Sequence, residues 1–313
     1  HSFHGLTYGA LSMNGGAEFR KGFGSLLPGS GEVRFGDADE LDKQLRSRDV
    51  AALIVEPIQG KGVNVASQEY WDAVAQLCRR YGTLLIVDEV QTGLGRTGKL
   101  WAHEHYGLVP DIITMSKALS GGFIPVGAMV TSSEIADKVY SSMQRAMVHS
   151  STFKNNQLAM VAGLATLSTI DDESLVDRAR MTGDAFEKAL VPLMERHSSF
   201  HAVRGKGLMI GLVFGEPGTM RQRARYRLLE AAHTGLFSQV IVAPLFRRHR
   251  ILTQVAADSM NVVKLLPPLI IGQDEVDYFA EALDDVLTQT ERGSSAIFDF
   301  GKTLVKGALS RTS

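Results

Sequence analysis

Short apolar runs alternate with longer amphipathic stretches through the first two thirds of the chain. The apolar runs predict buried strands at 51–55, 84–87, 111–115 and 125–130. Apolar positions at helical spacing predict helices over 68–80, 156–171 and 173–195. Strands that alternate with helices in this way are typical of a mostly parallel sheet covered on both faces. The pattern therefore predicts an α/β domain.

After residue 195 the pattern changes to shorter strands and fewer helices. It predicts strands at 208–214, 250–254 and 262–266 and helices near 219–236 and 273–289. We therefore expect a large domain over 1–195, a smaller α+β domain over 196–290 and a tail over 291–313. Five apolar residues of the tail share one helical face and predict a docking helix: Ile297, Phe300, Leu304, Val305 and Ala308.

Composition narrows the classes of protein that fit this pattern. The 313 residues are 44% hydrophobic and 21% charged, enough to bury a substantial core, and the net charge is −1. A nucleic-acid-binding protein would normally carry a basic excess, and a membrane-spanning protein an apolar run of about 18 residues, and the sequence has neither. The single cysteine, Cys78, is expected to be a small buried apolar residue. A cytoplasmic location fits this cysteine count.

Polar side chains follow three of the predicted strands. Glu56 follows the first run, Asp88 the second and Lys117 the third. Ligands of parallel sheets bind beyond the carboxyl ends of the strands, so these residues are candidates for chemistry. Partial desolvation of Lys117 would lower the pKa of its amine and make it nucleophilic. Each carboxylate could instead cap a helix or pair with an arginine, and Lys117 could be an exposed loop residue.

Other familiar patterns in the sequence carry less weight. The segment 93–98 matches G-x-G-x-x-G, but no helix pattern follows at once, so we expect neither nicotinamide nor flavin binding. His103 and His105 are two residues apart and do not share a helix face, so we expect no metal site. A G-x-S-x-G nucleophile motif is missing from the sequence, so serine-hydrolase chemistry has no support.

Five motifs in this order resemble the class III pyridoxal-phosphate aminotransferases, a family that includes ornithine, acetylornithine and diamine enzymes. They are SFHGLTYGAL, VEPIQG, LLIVDEVQTGLGRTG, PDIITMSKALSGG and STFKNNQLA, and the similarity runs from residue 1 to about 290. The resemblance implies an aspartate-aminotransferase-like fold (fold type I), with a large cofactor-binding domain and a smaller α+β domain. It also implies pyridoxal 5'-phosphate as the cofactor.

The resemblance implies roles for residues around the cofactor ring. Lys117 is similar to the lysine that holds the cofactor as a Schiff base and then moves a proton. Asp88 is similar to the aspartate that pairs with the ring nitrogen, which keeps the ring protonated so that it withdraws electrons. Gln91 corresponds to the residue that reaches the phenolic oxygen. Phe3 and Val90 correspond to the residues on the two faces of the ring.

Other motif residues imply contacts around the ring and across a dimer. His4, beside Phe3, is expected among the cofactor-binding residues. Thr152, with Ser151 in the same motif, is similar to a hydroxyl that a neighbouring subunit donates to the cofactor phosphate. The resemblance therefore implies a homodimer with a shared active site. Glu56 is similar to the glutamate that gates the substrate pocket in ornithine-type enzymes.

Three departures from the family pattern affect these expectations. The family's S-G-[TA]-E-A phosphate-binding motif lies upstream of the motif with which this sequence starts, so we expect the chain to be part of a longer protein. Lys264 stands where many members carry a carboxylate-binding arginine, and a lysine offers only a point charge. Lys154 and Asn155 replace glycines in the last motif, which predicts a differently shaped loop.

The expected activity is amino-group transfer in two half-reactions. The substitution at Lys264 favours a donor with a terminal amine, such as a diamine or ω-amino acid, and an oxo-acid or aldehyde acceptor. An aminomutase or racemase of the same fold would keep Lys117 and Asp88 and is an alternative. A second alternative is a non-catalytic remnant or interaction module, which the missing phosphate-binding motif would favour. The retention of Lys117, Asp88 and Gln91 argues against it.

Overall fold

The computed structural model describes residues 1–256 and 261–292 and divides into two compact units. The first unit contains His1–Gly60 and Asn64–Arg180, and the second contains Lys61–Val63 and the described residues from Met181 onward. The predicted domain limits at residues 195 and 290 stay predictions. The predicted docking helix in the tail lies outside the described residues.

The first unit alternates short strands and helices. Its strands are β1 (Ala52–Val55), β2 (Ile58–Gln59), β3 (Asn64–Val65), β4 (Leu84–Asp88), β5 (Ile112–Met115) and β6 (Ala128–Thr131). Its α-helices are α1 (Tyr8–Ser12), α2 (Ala17–Arg20), α3 (Ala38–Leu45), α4 (Gln68–Tyr81), α5 (Ser133–Val139) and α6 (Gln157–Asp172). Short 3-10 helices cover Ala102–Tyr106, Lys117–Ser120 and Met143–Arg145. Helix α7 (Leu175–Arg196) contains the division between the units.

The main sheet of the first unit has the strand order β1-β4-β5-β6. Strands β1, β4 and β5 are parallel, and β6 runs antiparallel to β5 at the edge. Together with the second, antiparallel sheet described below, this architecture confirms the expected fold type I class. Because β1, β4 and β5 are parallel neighbours, their carboxyl ends lie at one edge of the sheet.

Helix α4 shows how local sequence sets an element of the core. Ser67 accepts a hydrogen bond from the Tyr70 amide at 3.4 Å as N-cap, and Gly82 ends the helix in the left-handed region at φ 75°. The buried face includes Trp71 and Cys78, packed in a cluster with residues of β1 and β4. Cys78 is 3% exposed, as predicted, and burial raises the pKa of its thiol to about 11.

The second unit is built on an antiparallel sheet with the order β7-β8-β10-β9. Its strands are β7 (Phe200–Lys206), β8 (Met209–Phe214), β9 (Gln254–Val255) and β10 (Val262–Leu265). Its remaining helices are α8 (Met220–Ala232), α9 (Leu236–His249) and α10 (Gln273–Arg292). The buried stripe of α10 follows helical spacing, with Val276, Phe279, Leu283, Val286 and Leu287 turned inward.

The region from 219 to 254 differs from the prediction. The predicted helix near 219–236 corresponds to α8, which ends earlier, at Ala232. Gly235 takes a left-handed conformation at φ 83° and caps the start of a separate helix, α9. The predicted strand at 250–254 is mostly wrong. Arg250 is the left-handed C-cap of α9 at φ 58°, so pairing starts only at Gln254.

Among the helices that the structure describes, none alone is long and apolar enough to cross a membrane. The sharply bent pair Met220–Ala231 and Leu236–His249 meets the length and composition criterion only when both helices are taken together.

Candidate active site

Three of the predicted site residues lie at the carboxyl ends of neighbouring parallel strands. Glu56 directly follows β1, Asp88 is the last residue of β4, and Lys117 follows β5 after one serine. The carboxylates are buried, with Glu56 6% and Asp88 5% exposed. Both lie close enough to Lys117 to interact with its charge. The structure therefore brings together an amine and two carboxylates that are 61 and 29 residues apart in sequence.

The backbone and surroundings of Lys117 are unusual for a lysine. Its φ angle is 40°, in the left-handed region that non-glycine residues rarely occupy, and it opens the 3-10 helix Lys117–Ser120. The Ser116 hydroxyl anchors this bend by donating to the Val126 carbonyl at 2.8 Å. Although the Lys117 side chain is exposed in the single chain, desolvation by surrounding protein lowers the pKa of its amine, and Glu56 and Asp88 oppose that shift.

Both oxygens of the Asp88 carboxylate are held by the protein. Oδ1 accepts the Val90 amide hydrogen at 3.0 Å, and Oδ2 lies 2.7 Å from Nδ1 of His4. The His4 backbone amide in turn donates to Oδ1 of Asn14 at 2.6 Å. The other ring nitrogen of His4, Nε2, is buried and has no hydrogen-bond partner among the described residues. Asp88 is thus fixed in orientation before any ligand binds.

Glu56 links the first motif of the chain to the β2–β3 hairpin. Its Oε1 accepts the Phe3 amide hydrogen at 3.0 Å, and its Oε2 accepts the Gly60 amide hydrogen at 2.8 Å. Burial raises the pKa of the Glu56 carboxyl, and these two hydrogen bonds and His4 oppose that shift, whereas the nearby Asp88 adds to it. The Glu56 carboxylate is therefore fixed in orientation near Lys117, and its raised pKa disfavours its charged form.

The predicted ring-contacting residues surround the same edge of the sheet. Phe3 and Val90 are partly buried, and each adjoins a residue of the carboxylate network. Phe3 also packs edge-on against Phe19, with ring centroids 5.0 Å apart. Gln91 lies against Gly60, where a Cβ would come within 2.6 Å of Gln91 Nε2. Only a glycine at position 60 lets Gln91 occupy this place.

Three predicted site residues lie outside this group. Ser151 and Thr152 are exposed in the loop before α6. Lys264 is 9% exposed in the middle of the second unit's sheet, opposite Gly211 on β8 and Gln254 on β9. Lys264 belongs to the second unit, whereas Asp88 belongs to the first.

The loop before α6 contains Asn155, one of the two residues that stand where the family motif has glycines. Asn155 has a φ of 59°, and asparagine tolerates the left-handed region better than most residues. Asn156 then caps α6 by accepting the Ala159 amide hydrogen at 3.2 Å. An asparagine at position 155 is therefore compatible with the left-handed turn at this point.

Sequence reasoning missed a buried network next to Asp88. Glu89 is 1% exposed and accepts the His103 amide hydrogen at 2.8 Å and the Thr92 hydroxyl hydrogen, and the same Oε1 atom lies 3.0 Å from His103 Nδ1. The sequence indicates the burial of Glu89, which follows a predicted site residue in an apolar run, but not its pairing with His103. His103 thus pairs with a carboxylate, and no group of metal-binding side chains occurs within the described residues.

A comparison with protein families identifies the family of this chain. Residues 1–287 match the family model described as aminotransferase class-III. The chain belongs to the class-III aminotransferases. The segments that contain Glu56, Asp88 and Lys117 meet at the carboxyl edge of the main sheet.

Similar proteins carry aminotransferase names. The chain is 36% identical to aminotransferase PigE of a Serratia species, over 91% of this chain and 37% of that protein. It is 37% identical to acetylornithine aminotransferase of Caldanaerobacter subterraneus, over 92% of this chain and 66% of that protein. An amine transaminase from an uncultivated Pseudomonas species, in a form bound to pyridoxal 5'-phosphate (PLP), is similar in structure, with a TM-score of 0.78. The two sequences are 31% identical, and the match covers 92% of this chain and 68% of that chain.

The site fits the cofactor of class-III aminotransferases. Family membership and the PLP-bound neighbour indicate pyridoxal 5'-phosphate. A desolvated lysine amine suits an aldehyde, and the carboxylate of Asp88, ordered by His4 and Val90, suits a protonated ring nitrogen. The donor set of this chain therefore matches the ring of the cofactor.

Proposed function

We propose that this protein is a PLP-dependent aminotransferase that moves an amino group from a terminal-amine donor to an oxo-acid or aldehyde acceptor. The donor class is a diamine or ω-amino acid. The observation that carries the proposal is the placement of Lys117 beside the ordered Asp88 carboxylate, at the ends of two paired parallel strands. Membership of the class-III family supports amino-group transfer, and we assign this chemistry to the pair.

In this proposal the chain's own residues bind, orient and move a proton. The cofactor, when bound, supplies an electron sink for the reacting carbon. Lys117 would hold the cofactor aldehyde, and its Nζ, when free, would take and return the substrate proton, for which a lowered amine pKa is suited. Asp88 holds the ring nitrogen, Gln91 the phenolic oxygen, and Phe3 and Val90 restrict the ring from its two faces.

Substrate preference is assigned to Glu56 and Lys264. A fixed glutamate beside the reacting amine attracts a cationic donor, and its raised carboxyl pKa lets it gain a proton when another carboxylate must be accommodated. Lys264 offers one point charge instead of a bidentate fork, which weakens selection for an α-carboxylate. The similarity to an amine transaminase supports a donor with a terminal amine.

We also propose that the active protein is a homodimer whose subunits share the site. Helix α6 carries Leu158, Val161 and Leu164, which are 62%, 63% and 66% exposed. A helix that exposes this much apolar surface indicates a partner surface. Ser151 and Thr152 precede this helix in an exposed loop, from which they would reach the cofactor phosphate of the partner subunit. A cytoplasmic location stays a prediction.

The decisive experiment combines spectroscopy with substrate turnover. The protein with pyridoxal phosphate is expected to show a visible absorption band that borohydride abolishes and that Lys117→Ala lacks. Addition of putrescine or a short ω-amino acid alone should bleach the band, and pyruvate or 2-oxoglutarate should restore it. Persistence of the band in Lys117→Ala would contradict the assignment of the lysine.

The same experiment distinguishes the two alternatives. An aminomutase or racemase would isomerise an amino acid without an oxo-acid acceptor and would keep the band at steady state. A non-catalytic protein would give no band, or a band that neither putrescine nor the ω-amino acid changes.

A further inference from the structure

The turn of the β2–β3 hairpin has an unusual backbone conformation. Its residues Lys61–Val63 belong to the second compact unit. Gly62 and Val63 are both left-handed, with φ angles of 89° and 53°, and Val63 is fully buried. A β-branched residue in this region is strained, so the turn persists only because its surroundings hold it.

Two features of the second unit's sheet hold this turn. From β7, Arg204 donates to the Gly62 carbonyl oxygen twice, from Nε at 3.1 Å and from one terminal nitrogen at 2.5 Å. Directly opposite Arg204 on β8 is Gly211, where a Cβ would lie 3.0 Å from the Cβ of Val63. The arginine thus fixes the turn's carbonyl, and the glycine leaves room for its buried valine.

Holding Gly62 also constrains Gly60, two residues earlier. The Gly60 amide donates to Oε2 of Glu56 at 2.8 Å, and its α-carbon lies against the Gln91 side chain. A shift of the turn would therefore reach both side chains through Gly60. One of them is assigned to the substrate and the other to the cofactor.

We propose that Arg204 is a positioning residue that, by holding the Gly62 carbonyl, keeps the hairpin in the conformation that places Glu56 and Gln91. This inference rests on the proposed aminotransferase function for its catalytic consequence. Arg204 itself touches neither substrate nor cofactor in this scheme. Burial lowers the pKa of Arg204, because its guanidinium is partly desolvated.

The test uses Arg204→Met in the cofactor-loaded protein. We expect kcat/KM for the amine donor to fall about 10- to 100-fold, as for small misplacements of positioned groups. We also expect amide hydrogen exchange in the peptide covering residues 57–65 to accelerate. Arg204→Lys keeps the charge but cannot reproduce the two-pronged contact, so it should restore little of the loss.

Gly211→Ala disturbs the same turn from the other side without removing the arginine. Its methyl group must displace Val63, so this variant should reproduce both effects. The double variant Arg204→Met/Gly211→Ala should lose no more kcat/KM than the more damaging single variant, because both changes act through one turn. Fully additive losses would overturn the proposal. If Arg204→Met does not fold, Gly211→Ala and Val63→Gly test the proposal instead. Normal exchange and normal kinetics in both variants would overturn the proposal.

Arg225→Met is the matched control. Arg225 is also partly buried in the second unit and donates to a backbone carbonyl, that of Glu291, at 3.3 Å. We expect wild-type kinetics and wild-type exchange at 57–65. If Arg204→Met only lowers the melting temperature and leaves both readouts unchanged, its role is merely structural and the proposal is wrong. If the wild-type protein turns over no amine while exchange still accelerates in Arg204→Met, the proposed function fails and the restraint on the hairpin stands.

Discussion

Nδ1 of His4 lies 2.7 Å from Oδ2 of Asp88, and both side chains are almost completely buried. The pair joins the first motif of the chain to the end of β4, 84 residues later. Because the other Asp88 oxygen accepts the Val90 amide hydrogen, the carboxylate cannot rotate without losing a hydrogen bond.

Replacement of His4 by phenylalanine should weaken cofactor binding and turnover together. A hydrogen bond to a charged group contributes about 1.5–3 kcal/mol, so we expect a loss of roughly tenfold or more in affinity for pyridoxal phosphate. Titration of the protein with the cofactor, followed by the visible band, measures this. His4→Gln retains a donor and should recover part of the loss. Equal affinities in wild type and His4→Phe would contradict the role of the pair.

The Lys117 amine should titrate below the ordinary lysine value. Desolvation lowers its pKa, so the neutral, reactive amine is present at a lower pH than for an exposed lysine. Glu56 raises this pKa by its charge, so Glu56→Gln should shift the titration to still lower pH. The rate of Lys117 labelling by an amine-reactive reagent, measured against pH on protein without cofactor, tests both shifts. Lys138, an exposed lysine, serves as the internal control, and identical profiles for the two lysines would contradict the prediction.

Stability should depend on pH through Glu56. Its carboxyl pKa is raised above the reference value of 4.5, so the folded protein holds this proton more tightly than the unfolded chain. The free energy of unfolding should therefore contain a contribution that is complete below pH 4.5 and is lost as pH rises through the folded-state pKa. Urea unfolding of wild type and Glu56→Gln over this range measures it. The variant cannot titrate and should show a shallower decline, and parallel curves would count against the shift.

A charged substitution on the exposed face of α6 should dissociate the dimer without unfolding the monomer. Leu164 is 66% exposed in the single chain, so Leu164→Arg should cost the monomer little and should destabilise an apolar interface. We expect light scattering to show a dimer for wild type and a monomer for the variant, with loss of turnover. Met220→Arg, at an 87% exposed methionine of α8, is the control and should stay dimeric. A wild-type monomer with full activity would refute the shared site.

The packing of α4 predicts a large stability effect far from the chemistry. Trp71 has no exposed surface and packs on Tyr70 and Tyr106, with centroid distances of 5.1 Å to each ring. Trp71→Ala should lower the free energy of unfolding by about 3–5 kcal/mol. Chemical denaturation provides the measurement. Val109→Ala, at an 83% exposed residue, should change it by less than about 0.5 kcal/mol and serves as the control.

Much of the main sheet and the identity of the central residues could be predicted from the sequence. The apolar runs at 51–55, 84–87 and 111–115 correspond to β1, β4 and β5, because the strands of parallel sheets consist of nearly continuous apolar residues. Helix α9 was missed because its apolar residues, its internal Pro244 and its basic end give no clear one-sided pattern. The buried pair of Glu89 and His103 was missed because no local spacing connects residues on a strand end and a distant 3-10 helix.

The sequence by itself determined the family, the three parallel strands of the main sheet and the residues that we propose for the chemistry, because these are properties of short contiguous segments. Tertiary structure alone decided that His4 orients Asp88, that Glu56 accepts hydrogen bonds from both Phe3 and Gly60, and that the amine of Lys117 is desolvated. Such relationships depend on which strands become neighbours and in what register, and that choice is set by packing of the whole domain.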